Sequence, residues 1–244
     1  MQLYLFEDLL KARDESGLAA AIRRVSDTLG FETYCYALAY HPLRNGDGPS
    51  YFIFENYPKT WLDRYLEQDY AATDPSVTHC YGNTTPLVWS HRLFEDDGQR
   101  RIHREACEFG INGGATLPIN SNWLNGTGCL TLGTPDDADK VAPHVVERLG
   151  EAQLLACYVN QAVRNLSLLP EELSFRQHEE LTPREIECLR WATQGLPAKL
   201  IASRMGISTA TVTAHFLPAI RRKLGVSTTR EAVSVAVYHR LIQL

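Results

Sequence analysis

Leu181-Thr-Pro-Arg-Glu-Ile-Glu-Cys-Leu-Arg-Trp-Ala-Thr-Gln-Gly195, followed by Ile207-Ser-Thr-Ala-Thr-Val-Thr-Ala-His215, decides how the last quarter of the chain folds. Thr182-Pro183-Arg184-Glu185 is a capping box, with Thr182 as the N-cap, Pro183 at the first helical position and Glu185 reaching back to the cap amide. Ile186, Leu189, Arg190 and Thr193 keep the helical period, and Gly195 ends the helix in the left-handed conformation. A second short helix carries Leu200, Ile201 and Met205 as its apolar positions and stops at Gly206. Ser208 caps a third, whose inner face is Val212, Phe216, Ile220 and Leu224, and Gly225 ends it. Thr228-Thr-Arg-Glu231 is another capping box, opening a last helix with Ala232, Val235, Ala236 and Leu241.

Short helices joined by a tight glycine turn, the later one richer in basic residues, describe a helix-turn-helix. The third helix can then enter a DNA major groove with Thr209, Thr211, Val212, Thr213 and His215 near its N-terminal end. Arg221, Arg222 and Lys223 follow as phosphate neutralisers, which position the protein without specifying sequence. On these residues alone a generic four-helix packing module stays open, because the same geometry has other uses.

Charge sharpens the choice. The whole chain of 244 residues has 24 Lys and Arg against 29 Asp and Glu, a net of −5 that argues against a nucleic-acid partner. From Phe175 to Leu244, however, there are ten basic and five acidic residues, a net of +5. Residues 1–174 therefore hold fourteen and twenty-four, a net of −10. An acidic large part joined to a basic small one points to nucleic-acid contact by the small part. The seam falls near Pro170, giving a large first domain at 1–168, a linker at 169–180 and a helical domain at 181–244.

The quoted stretches, with Ile201-Ala and Lys223-Leu-Gly-Val226, resemble the DNA-binding domain of LuxR-type regulators over about fifty residues. Departures are specific. Gly195-Leu-Pro197 replaces the family's Gly-Lys-Ser/Thr, Leu200 stands where a glutamate is usual, and Thr213 replaces a lysine. Pro218 lies inside the recognition helix, where it lacks the amide that would bond to the carbonyl of Ala214. An interior proline costs roughly 3 kcal/mol and kinks a helix, so a kink after His215 is expected.

The first 165 residues alternate helical and extended patterns. Two helices end at Gly30, followed by strands over 31–40 and 51–54, joined by a loop rich in Pro, Asn and Gly. A second strand pair is expected over 114–119 and 127–132, with helices over 59–70, 75–81, 98–110 and 139–165. The fold class is an α/β sandwich, a central antiparallel sheet with helices on both sides, followed by an all-α four-helix helix-turn-helix domain. Tyr57, Trp61 and Tyr65 recur at one face of a helix begun at Pro58, and such a stripe alone is more often core than pocket. Asp74 before Pro75 is a natural N-cap, which by itself explains it.

Taken together, Asn56-Tyr57-Pro58, Trp61, Tyr65, Asp74-Pro75, Trp89 and Phe109-Gly-Ile-Asn-Gly-Gly114-Ala-Thr-Leu-Pro118 resemble the autoinducer-binding domain of LuxR-type quorum sensors, over roughly residues 15–165. The resemblance implies an acyl-homoserine lactone held between the sheet and one helical layer. It implies that the Trp61 indole donates to the lactone carbonyl, that the Asp74 carboxylate accepts the ligand amide N–H, and that the Tyr57 hydroxyl, with Thr131, meets the acyl carbonyl. Tyr65 and Trp89 pack around ligand and lactone ring. Members that answer to plant compounds alter the positions of Trp61 and Tyr65, and both are kept here. Tyr51 and Ile53 share one face of their strand, so Tyr51 either shortens the acyl tunnel or packs into the core.

Other classes fare worse. A phosphorylated receiver in front of the DNA-binding module needs a strand-end lysine, and Lys11, Lys59 and Lys140 do not supply one. A lactone-acting enzyme needs an activated nucleophile, and no Gly-x-Ser-x-Gly elbow or evident nucleophile–base pair is present. Six scattered cysteines without a C-x-x-C pair read as reduced thiols, and nothing completes a metal's ligand set. Without a signal-peptide pattern or a long apolar run, the expectation is a cytoplasmic bacterial protein with no cofactor and no membrane contact. Its expected partners are promoter DNA, a lactone, a second copy of the chain and RNA polymerase. A ligand-independent regulator, or one answering to a different small molecule with weakened DNA binding, is the alternative.

Overall fold

A computed structural model of the chain describes residues 3–40, 50–119, 126–168, 181–238 and 241–242. The expected loop at 41–49 and the linker at 169–180 lie outside them. Among the described residues, two compact units follow one another in sequence.

In the first unit, α1 (Tyr4–Leu10) and α2 (Glu15–Leu29) precede β1 (Thr33–Tyr40) and β2 (Ser50–Glu55). Asp14 caps α2 by accepting the Gly17 amide at 2.7 Å, and Gly30 ends it at a φ of 88°. Next come α3 (Lys59–Glu67), a 3₁₀ turn (Tyr70–Ala72), α4 (Pro75–Gly82), β3 (Leu87–Val88), α5 (Asp97–Cys107), β4 (Gly113–Ile119), β5 (Gly126–Thr134) and the long α6 (Ala138–Asn165). The sheet is antiparallel in the order β2-β1-β5-β4-β3. The sequence reading lacks β3, which is two residues long and too short to show a period.

Alternation along the strands divides the sheet. Tyr34, Tyr36 and Leu38 of β1 and Leu130 and Leu132 of β5 are buried on one face, where the Tyr36 hydroxyl donates to Asn160 of α6 at 2.8 Å. Cys35, Ala37 and Ala39 of β1, with Cys129 and Thr131 of β5, point to the other face, beneath α3, α4 and α5. Glycine is required at Gly114: a Cβ there would stand 2.0 Å from the Leu132 carbonyl oxygen, at a φ of 153°.

The second unit contains α7 (Pro183–Thr193), α8 (Ala198–Met205), a recognition helix built from α9 (Thr209–Thr211), a π-helical turn (Val212–Phe216) and α10 (Leu217–Lys223), and α11 (Thr229–Tyr238). Both capping boxes form: Thr182 with Glu185, and Thr228 with Glu231. Gly195, Gly206 and Gly225 are all left-handed, and Cys188, Leu189, Ile201, Met205, Val212 and Ile220 build the core. Leu200, expected on the apolar face of α8, is half exposed instead.

Pro218 does not act as an interior helix breaker. The ladder widens just before it, with the Leu217 amide donating to the Val212 carbonyl five residues back. The helix restarts as α10 with Pro218 in its first turn, where a missing N–H costs nothing. A π-turn thus accompanies the proline of the recognition helix.

Candidate functional site

A cavity of about 350 Å³ in the first unit is mostly apolar and lies between the sheet and α3–α5. Strand register lays out its floor in rows. Cys35 pairs with Thr131, Ala37 with Ile53 on one side and Cys129 on the other, and Ala39 with Tyr51 and Thr127. Tyr51 and Ile53 therefore share the cavity face, and Tyr51 remains 42% exposed, so it lines the cavity's edge rather than filling the core.

The polar groups gather at the other end of those rows. Asp74 caps α4 and is 8% exposed. Its Oδ1 accepts the Ser76 amide at 2.8 Å and the Ser76 hydroxyl at 2.7 Å, and its Oδ2 accepts the Tyr65 hydroxyl at 2.8 Å. A carboxylate buried with three donors stays hydrogen-bonded without a cation beside it. Trp61 and Tyr57 line the same space, and no hydrogen bond among the described residues engages the Trp61 indole or the Tyr57 hydroxyl. Burial, reinforced by the Asp74 charge, raises both the Tyr57 and Tyr65 hydroxyls well above the usual phenol range, so both are donors at neutral pH. Trp89 packs into the cavity wall, its indole N–H donating to Thr116 at 3.0 Å, which leaves it a packing role. Thr131 lies at the cavity floor on the same face of β5 as Cys129.

All eight sensor residues singled out in the sequence thus line one cavity. Ser76 is the residue that sequence reasoning missed. Its position two residues after an Asp N-cap, where the backbone amide faces the cap, is the signal that would have found it. Among the described residues no group of three or more His, Cys, Asp or Glu side chains is arranged to hold a metal ion.

The DNA-reading candidates divide. Thr209, Thr213 and His215 are exposed on the recognition helix, and Thr211 is half-buried with its hydroxyl 2.7 Å from that of Ser208. The Thr213 hydroxyl donates to its own helix, at the carbonyls of Thr209 and Ala210 (3.1 and 3.3 Å). Val212 is corrected: it is fully buried, because the inner face of the helix must close the core, and it cannot reach a base. Lys223 is also differently employed, its ammonium 2.8 Å from the buried Glu185 carboxylate. Burial works against that carboxylate, but Lys223 and the Thr182 amide and hydroxyl hold its pKa below the usual value. Arg221 donates to the carbonyls of Leu217 and Ser227, and Arg222 is exposed.

A small-molecule cavity in an α/β unit, followed by a helix-turn-helix, defines a ligand-responsive transcriptional regulator. Family models agree on both halves: residues 14–163 match the autoinducer binding domain, and residues 179–236 match the bacterial regulatory proteins of the luxR family. The chain belongs to the LuxR-type quorum-sensing transcriptional regulators, which are not enzymes. It is 31% identical over 238 residues to the transcriptional activator protein AnoR of Acinetobacter nosocomialis, covering 95% of this chain and 96% of that one. It is 29% identical to the quorum sensing-dependent regulator RpaR of Rhodopseudomonas palustris, over 98% and 94% of the two chains. The fold matches Escherichia coli SdiA with a TM-score of 0.75 at 20% identity, over 99% of this chain and 96% of that one. Among the described residues no helix is long and apolar enough to cross a membrane.

Proposed function

We propose that the chain binds an acyl-homoserine lactone in its first unit and, as a dimer, reads a two-fold-related DNA site with its second, the two joined by a linker at 169–180. The observation that carries the reading is the ring of polar groups at one end of an otherwise apolar cavity: Trp61 and Tyr57 as donors, and Asp74 as the acceptor. An amphiphile with one ester, one amide and a hydrocarbon chain needs that set and little else. The Asp74 carboxylate accepts the ligand amide N–H, Trp61 donates to the lactone carbonyl, and Tyr57 with Thr131 meets the acyl carbonyl. Binding stabilises the sensor by mass action, about 2.7 kcal/mol at a hundredfold excess over Kd. The stabilised sensors pair, and two recognition helices are presented to adjacent half-sites through Thr209, Thr213, His215 and Arg222.

SdiA has been solved in complex with octanoyl-rac-glycerol. A monoacylglycerol, which shares the ester and the chain but lacks the amide, is therefore the second reading. Mass spectrometry of the solvent extract of protein grown with a mixture of lactones and monoacylglycerols separates the two. Retention of a single lactone is the expected result; retention of the glycerol ester, or of neither by a soluble protein, rejects it.

A further inference from the structure

Trp61 owes its place to an aromatic cage. Its indole lies 5.6 Å from the Tyr65 ring, 6.3 Å from Tyr70 and 5.6 Å from Phe109, centroid to centroid, and Tyr65 and Tyr70 meet edge to face at 5.8 Å. Tyr65 in turn holds Asp74. Tyr70 and Phe109 stand outside the cavity lining, so they act on a guest only through Trp61 and Tyr65.

Behind the cage sits one carboxylate from α5. Glu105 accepts the Tyr70 hydroxyl at 3.0 Å, pairs with Arg101 at 2.7 Å and stands 3.6 Å from Arg64. Arg64 also reaches Glu108 at 3.2 Å and lies over the Phe109 ring at 5.2 Å. Arg101 lies over the Tyr70 ring at 5.9 Å. Three elements, α3, the 3₁₀ turn and α5, are thereby tied at a single group. Burial alone would raise the Glu105 carboxyl, yet the hydrogen bonds from Arg101 and Tyr70 and the charges of Arg101 and Arg64 hold it below its usual range.

We infer that Glu105 is a positioning residue of the head-group site: through Tyr70 and Arg64 it fixes the wall that carries Trp61 and Tyr65, and it sets how fast a bound lactone leaves. The inference rests on the lactone reading. Trp61, Asp74 and Trp89 are each less than a tenth exposed, so a bound head group is held by this wall even though the cavity's far edge at Tyr51 is open. What backs the wall is a cluster whose charged members are partly open to solvent, with Glu105 at 16%, Arg64 at 41% and Arg101 at 54% side-chain exposure. Such a tie is screened by salt, whereas the aromatic cage is not.

Glu105→Gln keeps an acceptor for Tyr70 and removes the charge. In the full chain, with octanoyl-homoserine lactone as the probe, release should quicken about tenfold, the size expected when two partly screened ion pairs weaken together. Raising the salt should quicken release from the native protein more than from the variant, which keeps only the Arg64–Glu108 pair, a contrast that general loss of stability would not produce. Hydrogen exchange on the ligand-free protein gives a second reading: amides over 59–73 should exchange faster in the variant while those of α6 stay as they were. Arg101→Gln, which removes one exposed partner, should quicken release about threefold and serves if Glu105→Gln does not fold. Unchanged release with unchanged salt dependence overturns the inference. If the native protein binds no lactone, the lactone reading fails, and the exchange experiment alone judges Glu105: equal rates over 59–73 overturn its role.

Discussion

Replacing Asp74 by Asn separates the binding role of this residue from its role in the fold. The carboxylate makes three bonds inside the protein, two from Ser76 and one from the Tyr65 hydroxyl. An asparagine keeps all three geometrically, because its carbonyl oxygen can take the Ser76 donors and its NH₂ can donate to the phenol oxygen of Tyr65. Thermal stability without ligand should therefore stay within about 1 kcal/mol of the native value. Alanine, by contrast, strands a buried phenol and a buried serine, at about 1–3 kcal/mol each. For the ligand, the asparagine presents N–H to N–H where the carboxylate presented a charged acceptor. A hydrogen bond to a charged group is worth about 1.5–3 kcal/mol, so lactone affinity should fall between roughly tenfold and 150-fold. Titration calorimetry of octanoyl-homoserine lactone and of its analogue with an ester oxygen in place of the amide N–H closes a double-mutant cycle. The native protein should prefer the amide strongly, and Asp74→Asn should prefer neither. If the variant discriminates amide from ester as well as the native protein does, Asp74 is not the amide's partner and the assignment of the head-group site fails.

Pro218→Ala should change the stability of the second unit by less than about 1 kcal/mol, since the π-turn already places the proline where its missing amide is harmless; a gain near the roughly 3 kcal/mol of an interior proline, seen in chemical denaturation, would show that the turn does not relieve it. Thr213→Lys adds a cation to an exposed position of the recognition helix and should tighten DNA binding at low salt, steepening the salt dependence by about one ion; a gel-shift series with an unchanged slope would place Thr213 away from the phosphates. Glu185 is held below its ordinary value of 4.5, so its contribution to stability is full above that pH and drains away as pH falls through the lower folded value. Glu185→Gln should accordingly flatten the acid limb of the second unit's stability, followed by hydrogen exchange over 183–205 in the full chain; an acid limb identical to the native one would show that the Lys223 pair contributes nothing.

What the sequence revealed and what it hid follow a physical line between local and distant causes. Caps and stops are local: Thr182, Ser208 and Thr228 each bond within three residues, and Gly195, Gly206 and Gly225 take positive φ on their own account, so the helices of the second unit were legible one by one. The π-turn was not, because the rule for an interior proline assumes the α ladder, and the chain here changes the ladder instead. In the first unit, periodicity favours core over pocket for Tyr57, Trp61 and Tyr65, and the structure shows why neither role alone suffices. Trp61 is both, packed on Tyr70 and Phe109 behind and lining the cavity in front. Only the resemblance to a family separated those roles. Tyr51 and Ile53 had the right parity to share a face, yet which face they shared depends on the pairing Ala39 with Tyr51 and Ala37 with Ile53.

Glu105 marks the far end of that line. Its partners Arg64, Tyr70 and Arg101 come from three elements, and in the sequence only Arg101, four residues before it on the same helix, is visible as a pair. Read locally, it is one of many surface i, i+4 ion pairs, worth a few tenths of a kcal/mol. Read in the fold, the same carboxylate backs the cage around Trp61 and, through Tyr65, reaches Asp74. A residue's weight in a binding site is therefore set less by its distance from the ligand than by how many independently placed elements must hold still for the site to exist. On the role inferred for it, a single charge on α5 acts on a guest it does not line the cavity to meet, and the salt dependence of ligand release is where that role becomes measurable.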